Sequence, residues 1–313
     1  MIDILMATYN GAEYIAEQIE SIINQSYTKW HLYIKDDCSK DDTISIALNF
    51  QKKYPEKITV IENTQNSGSA KNNFFSMLSV AKSDYVMFCD QDDVWLPDKI
   101  KITHRRMLCS ERKYGKKFPI LVHTDVSLVD EKLNIIAESL FKKEKWYFNK
   151  KITFWNSLIG NVVMGCTTEI NKALLCKVKF TNLKNIPMHD WWLGMCARYF
   201  GKEIVIKTPT MFYRQHSTNN VGVDDKSKFE QLLQIFFDAD AKKAEKERMQ
   251  NITNACTEFY SIYQENMKDI DKKRLKRFLS STSGSLIVLL IGMIREKISG
   301  PYLRAVIQYA LWR

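Results

Sequence analysis

At 313 residues, the chain is long enough for one large domain with a well-buried core, or for one domain and an appendage. Its 45% hydrophobic and 26% charged residues are ordinary for a globular protein, which excludes a disordered chain and a polytopic membrane protein. The net charge of +10 points to anionic partners, namely nucleic acid, an anionic membrane face or phosphorylated small molecules, without choosing among them.

In chain order, short apolar runs at Ile2 to Ala7, Trp30 to Lys35, Ile58 to Glu62 and Tyr85 to Cys89 read as buried strands. Between them, Ala12 to Asn24, Asp41 to Lys53 and Ser69 to Ala81 carry apolar residues at helical spacing. The alternation predicts an α/β fold with a mostly parallel central sheet flanked by helices. A helix after Pro97 and a strand over Ile120 to His123 extend it. Ser157 to Cys176 and Met188 to Tyr199 read as a loop-and-helix region, followed by a short strand over Glu203 to Lys207. From Val223 onward the pattern is helical and rich in Lys and Glu, which divides the chain into a catalytic domain over 1–222 and a helical C-terminal extension over 223–313. After residue 225 there are 16 Lys/Arg against 10 Asp/Glu, so the extension carries much of the positive charge.

Ligands of such sheets lie beyond the carboxyl ends of the strands, so those residues carry the functional argument. The first strand ends in Thr8-Tyr9-Asn10-Gly11, where Gly11 permits a tight turn before a helix whose free amides attract anions. The second ends in Asp36-Asp37; one carboxylate there can bond a nucleoside, and solvated loop acids are the alternative. Asp41 or Asp42 is expected to cap the next helix. Lys71 lies on the first turn of the third helix, where a cation could hold a nucleotide, although an N-cap serine explains part of that run without any ligand.

The fourth strand opens into Asp90-Gln91-Asp92-Asp93. Three carboxylates in four residues repel one another unless a cation neutralises them, and Mg²⁺ or Mn²⁺ prefers such oxygen ligands. Further on, Asp190 precedes Trp191 and Trp192; an acid in apolar surroundings can serve as a general base and a tryptophan can face a sugar ring, whereas a helix cap and two core residues are the alternative. His216 in Tyr213-Arg214-Gln215-His216 is either a satisfied structural histidine or a further ligand to the metal.

The order Thr-Tyr-Asn-Gly, Asp-Asp-x-Ser-x-Asp-x-Thr, Gly-x-x-Lys-Asn and Asp-Gln-Asp-Asp-Val-Trp resembles glycosyltransferase family 2, the inverting family with the GT-A fold, over about residues 1–222. Asp90 to Trp95, His189 to Trp192 and Tyr213 to His216 look like the bacterial rhamnosyltransferases of cell-wall and O-antigen synthesis. The resemblance implies that Thr8, Tyr9 and Asn10 line the nucleoside pocket, with Asp36 or Asp37 on the base and Lys71 near the nucleotide. It implies a D-x-D pair with Asp92 on the metal and Asp90 near the ribose, Gln91 among the nucleotide-sugar contacts, and His216 on the metal or diphosphate. It implies Asp190 as catalytic base, Trp191 and Trp192 on the acceptor side, and acceptor-side residues within Asn161 to Thr167. The expected partners are a nucleotide-diphosphate sugar, dTDP-rhamnose foremost with UDP-hexose or UDP-HexNAc as alternative, and a glycan or lipid-linked acceptor.

Other features bear on location and partners. The seven cysteines are scattered without a C-x-x-C pair, which reads as free thiols rather than a zinc site or disulfide framework. Met1 runs directly into the first strand with no signal peptide, so the catalytic part is expected in the cytoplasm. Ser285 to Ile294 is apolar but shorter than the ~20 residues of a spanning helix, with basic runs on both sides. It is either a peripheral anchor on the inner membrane or a helical hairpin, packed on the catalytic domain or used for homodimerisation. Two rival functions are a metal-dependent nucleotidyltransferase and a nucleic-acid-binding protein. The first lacks a basic phosphate loop after strand one, and the second lacks a stripe of cations interleaved with aromatics, so no nucleic-acid partner is expected.

Overall fold

A computed structural model describes residues 1–144, 146, 152–216 and 239–282. In chain order its elements are β1 (Ile2–Thr8), α1 (Ile15–Ile23), β2 (Trp30–Asp36), α2 (Thr43–Lys53), β3 (Ile58–Glu62), α3 (Ala70–Met77), β4 (Tyr85–Cys89) and β5 (Val94–Trp95). There follow α4 (Lys99–Tyr114), β6 (Ile120–Val129), β7 (Ile135–Ala137), α5 (Leu140–Lys143), α6 (Phe154–Ser157), β8 (Thr168–Asn171), α7 (Lys172–Leu175), α8 (His189–Phe200), β9 (Lys202–Arg214), α9 (Ala239–Tyr263) and α10 (Asp269–Thr282). The chain divides into two compact units: residues 1–149, 163–178 and 196–222 form one, and 150–162, 179–195 and 223–313 the other. The division is therefore not a single cut at residue 222, because two internal segments group with the C-terminal part.

The first unit is built on a sheet in the order β3-β2-β1-β4-β8-β6-β9-β5, with β7 added beside β6. β8 runs antiparallel to both β4 and β6, so six strands (β1, β2, β3, β4, β6 and β9) share one direction and the sheet is mostly parallel, as the alternating pattern predicts. β1 is buried along nearly its whole length, which is what an apolar run covered on both faces requires. Ile15, Ile19 and Ile22 of α1 recur at i, i+4 and i+7 and are wholly buried. Met107 of α4 packs with Ile120 and Val122 of β6 in a cluster that also takes Tyr85, Tyr114 and Phe118.

Two strands differ from the sequence reading. The strand expected over Glu203 to Lys207 runs from Lys202 to Arg214, so Tyr213 and Arg214 lie in it rather than after it. Pro209 lacks an N–H, which signals a strand end; instead the pairing with β6 shifts register around Asp125, opposite Pro209, and the ladder resumes. β8 falls in the region read as loop and helix. Its sequence, Thr-Glu-Ile-Asn, carries no apolar run, yet all four residues are buried because the polar side chains find partners. Glu169 bonds His104 at 2.7 Å, and Asn171 bonds Glu111, the Phe118 carbonyl and the Ile120 amide at 3.0 Å each.

In the second unit, α9 and α6 contribute Phe259 and Phe154, whose rings lie 5.0 Å apart, and Trp192 joins them 5.6 Å from Phe259. Glu258 of α9 accepts from the backbone amides of Thr181 and Asn182 and from the Asn185 side chain, tying a connecting segment to the helix. The expected apolar run over Ser285 to Ile294 lies outside the described residues. No described helix is long and apolar enough to cross a membrane, and none of the seven cysteines is in a disulfide.

Candidate active site

At the carboxyl ends of β1 and β2 the loop acids are structural partners of their neighbours rather than solvated groups. Asp36 and Asp37 are each 4% exposed. Asp36 accepts from the Thr8 hydroxyl at 2.9 Å, the Ser39 hydroxyl at 2.6 Å and the Ser39 amide at 2.8 Å. Asp37 accepts from the Asn63 side chain and the Ser67 amide at 2.7 Å and from the Ser67 hydroxyl at 2.8 Å. Charge-assisted bonds of this kind fix the β1 and β2 loops against each other and against the segment before α3. Asn10 holds a left-handed φ of 48°, with its amide on Ser39 Oγ and its side-chain oxygen on the Lys40 amide. Tyr9 stays 45% exposed at this corner. Asp42 precedes α2 without a side-chain cap, while Asp41 accepts from the Thr43 amide at 3.1 Å and the Ala12 amide at 3.0 Å. Lys71 is half-buried on α3 behind its N-cap Ser69, and burial lowers the pKa of its ammonium.

The loop after β4 brings the acid cluster to the same sheet edge. Gln91 Nε2 donates to the Tyr9 carbonyl at 3.0 Å and its Oε1 accepts from the Tyr9 amide at 2.9 Å, so this side chain grips the β1 loop. Gly11 leaves room for it, because a Cβ there would stand 2.3 Å from Gln91 Cδ. Asp92 Oδ2 lies 2.9 Å from His216 Nε2. Asp93, a carboxylate to which the sequence reading gives no role of its own, is buried; its Oδ1 accepts from the Arg214 amide at 3.2 Å, and its Oδ2 has no hydrogen-bond partner among the described residues. Burial, then the charges of Asp92 and Asp90, hold its pKa well above the carboxylate range.

Asp90, Asp93 and Cys166 bring one donor atom each within 4.8 Å of one another. Burial keeps Cys166 a protonated thiol, reinforced by the Asp93 and Asp90 charges, so the oxygens are the ligands this corner offers. The orphaned Asp93 oxygen, the crowded carboxylates and the adjacent imidazole fit a hard divalent cation.

Arg214, buried at the end of β9, organises this edge. Its Nε donates to the Asp92 carbonyl at 2.8 Å, and its other nitrogens reach the Glu131 carbonyl and the Glu17 carboxylate. Its guanidinium sits 4.6 Å from the centre of the Tyr14 ring, and that ring stacks on His216 at 5.2 Å. Tyr14 stands in the turn before α1 and has no motif signature; only the three-dimensional arrangement exposes its place here.

In the second unit, Asp190 occupies the first turn of α8, half-buried. Its Oδ1 accepts from Asn161 Nδ2 at 3.0 Å and from the Trp191 amide at 2.6 Å. His189 beside it is buried, which brings its pKa down to about 3 and keeps the ring neutral. Trp191 is half-buried with its indole N–H on the Ser157 carbonyl. Trp192 corrects the sequence reading: it is wholly buried, its N–H donates to the Lys179 carbonyl at 2.9 Å, and Phe259 and Tyr263 cover its ring. It has no free face for a sugar and belongs to the core.

Comparison with known proteins adds independent findings. Residues 3–108 match the family model for glycosyl transferase family 2. The chain is 32% identical over 244 residues to the dTDP-rhamnosyl transferase RfbG of Shigella flexneri, covering 72% of this chain and 78% of that protein. Among solved structures, S. aureus TarS residues 1–349 in complex with UDP-GlcNAc superposes with a TM-score of 0.54 at 17% identity, covering 99% of this chain and 89% of that one. The mannosyltransferase PcManGT from Pyrobaculum calidifontis, solved with GDP-Man and Mn2+, superposes with a TM-score of 0.50 at 15% identity, covering 99% and 84%. The structural likenesses carry the GT-A fold. The 32% identity with RfbG over most of both chains, with the family-model match, establishes that this chain belongs to glycosyltransferase family 2.

Proposed function

We propose that this glycosyltransferase moves L-rhamnose from dTDP-rhamnose to a hydroxyl of a glycan or lipid-linked oligosaccharide, with inversion at the anomeric carbon. The rhamnosyl assignment draws on the 32% identity with RfbG, whose name gives dTDP-rhamnose chemistry. The observation that carries the mechanism is the acid edge at Asp90 to Asp93 with His216 on Asp92.

In this reading Thr8, Tyr9 and Asn10 form the nucleoside corner, Asp36 and Asp37 hold its loops in place through their bonds to Thr8, Ser39, Asn63 and Ser67, and one of the two acids bonds the base. Lys71 approaches the nucleotide phosphates. Asp92 and His216 would hold a divalent cation, Mg²⁺ or Mn²⁺, and Asp90 would serve the ribose side. When bound, such a cation neutralises charge on the departing diphosphate. Asp190 accepts the proton of the acceptor hydroxyl as that oxygen attacks the anomeric carbon. The bond to the diphosphate breaks with its electron pair leaving on the phosphate oxygen, and one displacement on the opposite face inverts the centre. Asn161 keeps the Asp190 carboxylate oriented through its 3.0 Å bond. Trp191 remains the acceptor-side aromatic.

A UDP-hexose or UDP-HexNAc donor is the second reading, supported by TarS having been solved with UDP-GlcNAc in the same fold. Thermal-shift screening of dTDP-rhamnose, UDP-glucose, UDP-GlcNAc and GDP-mannose with Mn²⁺ separates the two, because a bound ligand stabilises the folded state by mass action. The largest shift should come from dTDP-rhamnose. A larger shift with a UDP-sugar would replace rhamnose by that donor, and no shift with any of them would remove the transferase mechanism.

A further inference from the structure

Helix α4 presents a face that the sugar-transfer reading does not use. Its inner side carries Ile100, Thr103, Met107 and Ser110, all buried. The outward half consists of two adjacent rows at helical spacing: Lys101, Arg105, Leu108 and Arg112, and Ile102, Arg106, Cys109 and Lys113. Lys116 and Lys117 continue both rows past the helix end, and all seven of these cations are exposed. Opposing charge is sparse. Asp98 pairs with Lys101 at 3.3 Å, while Glu111 is buried, with Tyr85 Oη at 2.7 Å and Asn171 Nδ2 at 3.0 Å on its carboxylate. Asp84 is exposed at the start of β4, and the buried Glu169 lies behind the groove with its carboxylate 2.7 Å from His104 Nδ1. Two aliphatic side chains lie among the cations, with Ile102 37% and Leu108 38% exposed. Beside the first row is an open groove of about 630 Å³ lined by the cations Lys101, Arg105, Arg112 and Lys116, by Tyr27, His104 and Leu108, and by one acid, Glu111.

We propose that the outward face of α4, with the Lys116-Lys117 turn, docks on an anionic phospholipid surface. A row of cations alone would suit any polyanion. Exposed aliphatic residues interleaved with them are what a helix lying in a lipid interface presents, the cations meeting headgroups while Ile102 and Leu108 enter the acyl boundary. At 16 residues, α4 is about 24 Å long, enough to place several headgroups under both rows at once. The groove between α4 and Tyr27 accommodates a phosphate-bearing headgroup beside Arg105 and Arg112.

The test is flotation of the full chain with phosphatidylglycerol-rich vesicles and with pure phosphatidylcholine vesicles, at low and high salt. The wild type should float with the anionic vesicles, and high salt or neutral lipid should release it. Each cation near an anionic leaflet contributes roughly five-fold in affinity, so Arg105→Glu, Arg106→Glu, Arg112→Glu and Lys113→Glu together should lower binding by several hundred-fold or more. A second variant, Leu108→Ser, removes no charge and should weaken binding by a few-fold. A third, reversing Lys272, Lys273, Lys276 and Arg277 to Glu, should retain most of the binding, because these residues lie on α10. Nucleotide-sugar binding by the α4 variants should equal wild type, which separates failure of this proposal from failure of the donor assignment. Undiminished flotation of the α4 charge variant, equal binding to neutral vesicles, or tighter binding to duplex DNA than to the anionic vesicles would overturn it.

Discussion

Gly11 and Gln91 provide a pair whose coupling follows from geometry. A methyl group on Gly11 would stand 2.3 Å from Gln91 Cδ and Oε1 and 2.6 Å from Nε2, so Gly11→Ala forces the Gln91 amide out of its place. The displaced amide loses its bonds to the Tyr9 amide and carbonyl at 2.9 and 3.0 Å. A typical hydrogen bond contributes about 0.5–1.5 kcal/mol net, and water can replace these two at an exposed corner, so the loss should be about 1–2 kcal/mol. That corresponds to a fall in Tm of a few degrees, about 2–6 °C for a domain of this size. The assay is a double-mutant cycle by chemical and thermal unfolding of wild type, Gly11→Ala, Gln91→Ala and the double variant. Each single variant should show a similar loss. The double should be no worse than Gln91→Ala alone, because the methyl group then has space, giving a coupling of about 1–2 kcal/mol. If Gly11→Ala subtracts its full amount in the Gln91→Ala background, the overlap is not the reason for glycine here.

Gly201→Ala should be far more damaging, about 3 kcal/mol or more, since its Cβ would lie 1.9 Å from the Pro119 carbonyl oxygen and backbone cannot yield as a side chain does; soluble yield and unfolding midpoint check it. Acid stability should report Glu203: burial raises its carboxyl pKa, but the Arg198 charge and the His123 bond outweigh this and set it at about 2 against an ordinary 4.5. A depressed folded pKa stabilises above 4.5 and the benefit fades as pH falls from 4.5 toward 2, about 3 kcal/mol in all, and Glu203→Gln should flatten the unfolding curve across that window. Asp190→Asn should leave nucleotide binding unchanged while kcat falls by roughly 10²–10⁴-fold, and retention of more than about a tenth of the wild-type rate would remove Asp190 as base.

Legibility from sequence followed the physics of each region. β1, β2 and β4 were readable because strands buried on both faces need continuous apolar runs, and the acids at their ends stood out by contrast. β8 was not, because Thr168, Glu169 and Asn171 are polar and buried only through partners distant in sequence, such as His104 and Glu111. The second half of β9 was hidden by Pro209, whose missing donor is absorbed at a register shift. At the site, Asp90, Asp92 and His216 were marked by their residue types and order, and the structure brings Asp92 and His216 together. Tyr14 carried no such mark, and Trp192 was misread because an indole suited to a sugar ring is equally suited to a core.

The central claim is that nucleotide-sugar chemistry here runs with a divalent cation held at Asp92 and His216. Calorimetric titration of dTDP into the protein, with and without Mn²⁺, tests it directly for wild type, Asp92→Ala and His216→Ala. Binding should tighten at least about tenfold with Mn²⁺ in the wild type, more than 1.4 kcal/mol, and the gain should disappear in both variants. Equal affinity in chelator, or an undiminished Mn²⁺ gain in both variants, would contradict the account.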